Sequence, residues 1–241
     1  MSTSQGLLHI HEMVLPDQPP IATYLPGEAF LYARHSLLLL YGRLELMGEV
    51  NGSLVRMVIE YNTVGQPLLD AVLKQFLRFT YGWADTEKSY NPQQNKPLLD
   101  ELGAQSFKFM NGLQFYALQP GEKLLRTVFQ PRITQSVLHF FRRALAPASL
   151  LALTDQAVVL IEEDKARGAA YGWLITLCPR KFVAEIESKP TYQWSEVSLH
   201  LRRNGVNETR KLTLENETAR AWETMWAGRN QFGTKYGNAN L

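Results

Sequence analysis

The sequence predicts an α+β protein made mainly of antiparallel strands, whose second half is a β domain closed by one C-terminal helix. Three observations predict it. Apolar and polar residues alternate in several short runs. Asn-Gly pairs, the strongest short-range hairpin signal, separate such runs at Asn51-Gly52 and Asn204-Gly205. Near residues 62 and 216 the apolar spacing changes to three and four, the period of an amphipathic helix.

Along the chain, a proline-rich stretch, Pro16-Asp17-Gln18-Pro19-Pro20, gives an extended lead-in. From Glu28 the pattern is β-like: Phe30, Tyr32 and the apolar run at residues 37–41 are followed by Leu44 and Leu46, and then by the Asn51-Gly52 turn. Beyond it Val55, Met57, Ile59 and Tyr61 alternate with their neighbours, as in a strand with one buried face. Asn62 or Thr63 then caps a helix carrying Leu69, Val72, Leu73 and Phe76 on one stripe, which lies on a sheet. Residues 85–97 are rich in Asn, Gln, Pro and charge and read as a linker. A second helix is expected over residues 102–117, with Phe109, Leu113 and Tyr116 on one face, although Gly103 and Gly112 weaken it.

The second half opens with a strand over residues 124–133, interrupted at Pro131, and residues 134–146 read as helix or loop. Residues 150–153 and 158–161 flank Thr154-Asp155-Gln156 as a hairpin, and two more β-like segments follow at 173–177 and 182–186. Val197, Leu199 and Leu201 alternate up to Asn204-Gly205, and Leu212 and Leu214 after it. Asn216 or Thr218 caps the last helix, which buries Trp222, Met225 and Trp226. The division expected is a smaller β-plus-helix unit at 1–90, a linker and connecting helix at 91–119, the β domain at 120–230 and a frayed tail at 231–241.

At 241 residues, with 45% hydrophobic and 20% charged residues, the chain can bury a real core. A net charge of +2, from 25 basic and 23 acidic residues, is too balanced to imply a polyanion, so nucleic acid is not an expected partner. Cys178 is the only cysteine and reads as a buried small hydrophobe. With no disulfide to make and no signal-like or spanning apolar run, a cytoplasmic location is expected. The glycosylation-like triplets at Asn51, Asn207 and Asn216 then read as turn and cap residues.

The halves share landmarks. Pro26-Gly27-Glu28 and Pro120-Gly121-Glu122 each precede a strand, and residues 56–62 and 210–216 each run from an Asn-Gly turn into a helix. A tandem of two related β domains, the first abbreviated, would explain them.

The second half resembles the bacterial pleckstrin-homology-like domains. Pro120-Gly121-Glu122 enters its first strand, Leu150-Leu151-Ala152-Leu153-Thr154-Asp155 enters the next hairpin, and the last hairpin feeds one amphipathic helix. The resemblance implies two packed antiparallel sheets with the helix closing one end of the sandwich, and it implies no reaction. Relatives outside bacteria often bind phosphoinositides through basic residues after the first strand, which here points to Arg132, Arg142 and Arg143 as candidate anion- or lipid-binding residues. Because the same stretch holds Val137, Leu138, Phe140 and Phe141, the favoured reading is an extra helix packing that apolar face with its arginines solvated.

No chemical motif is complete. His9 and His11 beside Glu12 would share a strand face, but two ligands do not close a metal site. There is no phosphate-binding glycine loop and no nucleophile elbow, and no cofactor is expected. Cys178 precedes Pro179-Arg180-Lys181, whose cations could lower a thiol pKa, but a strand-end core position is the favoured reading. Glu162-Glu163-Asp164 reads as a solvated hairpin end that could equally bind a cation, and the doublets Arg202-Arg203 and Arg210-Lys211 point to opposite faces of their strands. The sequence therefore points to a non-enzymatic binding or scaffolding module with a protein or peptide partner, with self-association open. The alternatives are association with anionic membrane lipid and an enzyme whose site lies between the halves.

Overall fold

Strands with apolar residues on both faces need a cover on each side, and one large sheet sets the architecture that meets this need. The computed structural model describes residues 5–11, 20–38, 40–81, 92–137, 141–163 and 172–228. The first part of the chain forms β1 (Gly6–His11), β2 (Ile21–Pro26), β3 (Phe30–Leu38), β4 (Tyr41–Val50), β5 (Ser53–Asn62) and helix α1 (Gln66–Tyr81). A connector holds α2 (Lys96–Gln105), α3 (Phe107–Gly112) and a π-helical turn, Leu113–Ala117. Then come β6 (Leu124–Gln130), β7 (Ile133–Val137), β8 (Phe141–Ala146), β9 (Ser149–Thr154), β10 (Ala157–Glu163) and β11 (Trp173–Pro179). The chain continues through β12 (Val183–Pro190), β13 (Trp194–Arg203), β14 (Val206–Glu215) and α4 (Asn216–Ala227).

Among the described residues the central sheet has the order β5-β4-β3-β11-β10-β9-β6, beside a three-stranded sheet β12-β13-β14 and two hairpins, β1-β2 and β7-β8. The unit expected at 1–90 thus supplies three strands to the same sheet as the β domain: β3 pairs antiparallel with β11, with Ala33 opposite Leu177 and Leu37 opposite Trp173. The runs Leu150-Leu151-Ala152-Leu153 and Val158-Val159-Leu160-Ile161 are continuous because β9 and β10 are covered on both faces. On one face Leu44, Leu46, Val159, Ile161 and Ile175 pack under Leu73 and Leu77 of α1, Leu102 of α2, Phe109 of α3, and Leu7 and Leu25 of the β1-β2 hairpin. On the other, Leu151, Leu153, Val158, Leu160 and Cys178 pack against Val197, Leu199, Leu212 and Leu214 and against Trp222, Met225 and Trp226 of α4.

The strands β6, β9, β10 and β11, then β12, β13 and β14, then α4, make a four-stranded meander packed on a three-stranded one with a closing helix. This is a pleckstrin-homology-like sandwich. Both Asn-Gly turns use left-handed backbone, with φ of 52° and 77° at Asn51 and Gly52 and of 44° and 85° at Asn204 and Gly205. The two turns meet at Glu49, whose carboxylate accepts from the Gly52 N–H at 2.6 Å and the Asn204 amide at 2.7 Å.

Several expectations need correction. The helix placed at 102–117 begins at Lys96 and is broken at Ser106, whose hydroxyl accepts from the Phe109 N–H, so two short helices replace it and Tyr116 is exposed. Residues 133–137 and 141–146 pair as antiparallel strands rather than forming the helix or loop expected, with Gln135 opposite Arg143, because β-branched Ile133, Thr134 and Val137 favour extended backbone. Leu138 and Phe140 lie outside the described residues. The apolar run at 37–41 conceals a turn: Leu40 is 71% exposed between β3 and β4. The linker ends earlier than expected, since residues 92–95 form a 3-10 turn whose buried Asn95 donates to the Glu122 carbonyl and accepts from the Leu124 N–H. Residues 85–91, the tail after Gly228 and the side chain of Phe76 fall outside what is described. Helix α4 has no side-chain cap of its own; the buried Gln130 of β6 accepts from the Glu215 N–H, while Asn216 is engaged by the Ser195 hydroxyl.

Candidate binding cleft

Beyond the three-stranded sheet, the edge of β14 leaves part of the central sheet uncovered, and a cleft of about 540 Å³ opens there. Strand register sets its floor. Arg34 of β3 lies opposite Thr176 of β11, which lies opposite Leu160 of β10. One step along, Ser36, Leu174 and Glu162 form the next row. Thr209, Arg210 and Lys211 of β14 form the other wall, with Pro147 and Glu163 at the rim. Residues from both halves of the chain therefore line one polar site.

Its charges are unequally committed. Arg210 stacks 4.7 Å over the Tyr32 ring and donates to the Tyr32 hydroxyl, while its buried Nε has no hydrogen-bond partner among the described residues. Burial raises the Tyr32 pKa despite the opposing pull of the Arg210 charge. Lys211 points the other way, to Glu196 at 2.8 Å. Glu45, opposite Arg34, is already held by Arg43 at 2.9 Å and Arg56 at 2.6 Å, which leaves Arg34 with no ion pair among the described residues. Glu163 takes Lys108 at 2.9 Å and Arg132 at 2.6 Å; burial works to raise its pKa, but these two cations prevail and hold it below the usual carboxylate value.

The sequence-predicted residues are not gathered here. Arg132 sits in the turn before β7 and is engaged by Glu163. Arg142 and Arg143 are consecutive in β8, Arg143 being exposed; the side chain of Arg142 lies outside the described residues. His9 is on β1 opposite Thr23, and the His11 side chain, Glu12 and Asp164 are outside what is described. Cys178 is fully buried, and burial pushes its thiol up to about 12, which makes it inert at neutral pH. Arg203 donates to the Phe30 carbonyl at 2.7 Å and lies over the Phe182 ring, whereas Arg202 turns to Asn207. Sequence reasoning missed Arg34 and Tyr32. The available signal was a polar triplet, Arg34-His35-Ser36, inside a strand whose other residues are apolar or aromatic.

Two buried titratable groups lie away from the cleft. Glu122 accepts from the Thr154 hydroxyl and the Gln119 N–H; burial, which these bonds only partly offset, lifts its pKa to about 7. His35 on β3 meets the Tyr61 hydroxyl beneath α1, and burial lowers it to about 4. The Tyr61 ring reaches it by lying over Gly42, where any Cβ would collide with the ring.

The class these elements define is a pleckstrin-homology-like fold extended at one sheet edge. The chain matches no protein-family model and no curated protein. Among solved structures it is similar to the crystal structure of a pleckstrin homology domain from Shewanella amazonensis SB2B, at 18% identity and a TM-score of 0.32, covering 56% of this chain and 99% of that one. Among the described residues no helix is long and apolar enough to cross a membrane.

Proposed function

We propose that this protein is a non-enzymatic binding module whose ligand site is the cleft between β14 and the central sheet. The observation that carries this reading is that both halves of the chain build the cleft: Arg34 comes from the first, and the rest of the lining from the second. Among the described residues the lining offers guanidinium, ammonium, carboxylate and hydroxyl groups with Leu174 as an apolar surface between them. Such convergent polar groups can fix the orientation of a bound ligand. The lone cysteine, inert and buried, suits a cytoplasmic setting.

The chain is read as a tandem in which residues 1–90 are an abbreviated copy, 91–119 connect, 120–230 are the full unit and 231–241 trail it. In support, β3-β4-β5-α1 and β12-β13-β14-α4 are both meanders that follow a proline and a 3-10 turn, Gly27–Ala29 in one and Arg180–Phe182 in the other. On this pairing the counterpart of Pro26-Gly27-Glu28 is Pro179-Arg180-Lys181 rather than Pro120-Gly121-Glu122. The anionic-membrane reading through Arg132, Arg142 and Arg143 is less supported, because Glu163 already neutralises Arg132.

A small-molecule fragment screen followed by amide NMR tests the binding reading. Hits are expected to shift the Leu174, Thr176 and Thr209 amides together; a screen whose hits all map elsewhere sinks it. In parallel, sedimentation with anionic liposomes at low and moderate salt is expected to pull down no protein.

A further inference from the structure

Building on the cleft as the ligand site, we infer that it selects a small ligand by one acidic group, a carboxylate or a phosphate, held between Arg34 and Arg210, with an apolar body laid on the half-buried Leu174. The two arginines are neighbours by construction. Arg210 is fixed over the ring of Tyr32, and Tyr32 is two residues before Arg34 on the same face of β3, a separation of roughly 7 Å. That spacing lets two guanidinium groups address one anion from two sides. The stacking on Tyr32 fixes the Arg210 side chain before any ligand arrives, so little further ordering is needed.

The surrounding charges sharpen the choice. Glu45 is occupied by Arg43 and Arg56 and does not quench Arg34. Glu208, two residues before Arg210 in β14, acts on Tyr32 and offsets part of the Arg210 charge. Glu162 stands in the adjacent row, two strands from β3, at roughly 10 Å by strand spacing. The cleft thus favours a single acid on an apolar stem.

Titration of the full chain with hexanoate, hexanamide and inorganic phosphate, followed by amide NMR, tests this. Hexanoate is expected to shift the Thr176 and Thr209 amides saturably and to bind at least about tenfold tighter than hexanamide, the ratio that one charge-assisted contact gives. Arg34→Gln, which removes a side chain with no ion pair, is expected to weaken hexanoate by about tenfold or more while Arg143→Gln leaves it unchanged. Phosphate distinguishes the source: tighter binding of hexanoate assigns a carboxylate with an apolar body, and tighter binding of phosphate assigns a phosphate group. Equal binding of hexanoate and hexanamide, or an unaffected Arg34→Gln variant, overturns the acidic-group assignment and leaves the cleft as a site. No shift at the cleft with any of the three probes overturns both.

Discussion

The two meander-plus-helix units of this chain share a construction and differ in what completes them. The second, β12-β13-β14 with α4, packs face to face on β6, β9, β10 and β11, all from its own stretch of sequence, and among the described residues takes only Leu31, Tyr32 and Met47 from β3 and β4 into the same core. The first, β3-β4-β5 with α1, has, among the described residues, only the β1-β2 hairpin from its own stretch, and its core is completed by the connector helices and by the reverse face of the other unit's sheet. A missing layer can be replaced by any element with the right apolar stripe, because burial is not directional. What cannot be replaced is edge pairing, and β11 supplies that.

The most severe way to break the comparison is to separate the units. Residues 120–228 expressed alone would expose Val159, Ile161, Ile175 and the free edge of β11. Each such aliphatic side chain is worth about 2 kcal/mol of burial, so the loss rivals the whole stability of about 5–15 kcal/mol of an ordinary domain. The expected outcome is an aggregating or poorly dispersed fragment by size exclusion and amide NMR. A monomeric, well-dispersed fragment would show the sandwich to be self-sufficient.

Acidity should separate the units next, with opposite signs. His35, ordinarily near 6.5 and held near 4, refuses a proton that the unfolded chain accepts, so stability falls as pH drops from about 6.5 to about 4. Glu122, ordinarily near 4.5 and lifted to about 7, keeps a proton that the unfolded chain releases, so stability falls as pH rises from about 4.5 to about 7. Each window is worth about 3 kcal/mol. The slopes oppose each other between pH 4.5 and 6.5, so urea denaturation of the native chain should be nearly flat there. Glu122→Gln should leave stability rising with pH across that interval, and His35→Gln should leave it falling. Parallel slopes in the two variants would refute the assignment.

The smallest effect tests the likeness of the hairpins. Gly52→Ala and Gly205→Ala each meet open space but positive φ, and each should cost about 1 kcal/mol in chemical denaturation. Costs that differ widely would argue against a shared construction.

Local features were legible in the sequence to the degree that they are local. The Asn-Gly turns, the Leu73 face of α1 and the Trp222, Met225 and Trp226 stripe of α4 follow from residues within a few positions of one another. The β7-β8 hairpin was obscured by an apolar run without turn residues, and the turn at Leu40 by an unbroken row of leucines. The join of β3 to β11 could not be read, because nothing near Arg34 names Thr176 as its neighbour. The cleft was hidden for the same reason: its basic residues are 176 positions apart, whereas Arg132, Arg142 and Arg143 drew notice by being close in sequence.

The β3-β11 pairing also governs the order of events at the ribosome. Arg34 and Thr176 are register partners 142 residues apart, so the first meander emerges long before the strand that must flank it. At about 5–20 residues per second, it waits on the order of ten seconds with an open hydrogen-bonding edge. Nascent chains paused in that interval should be the ones that chaperones hold. Once β11 arrives, its pairing closes one of the last exposed edges and makes completion of the fold a late, nonlocal step.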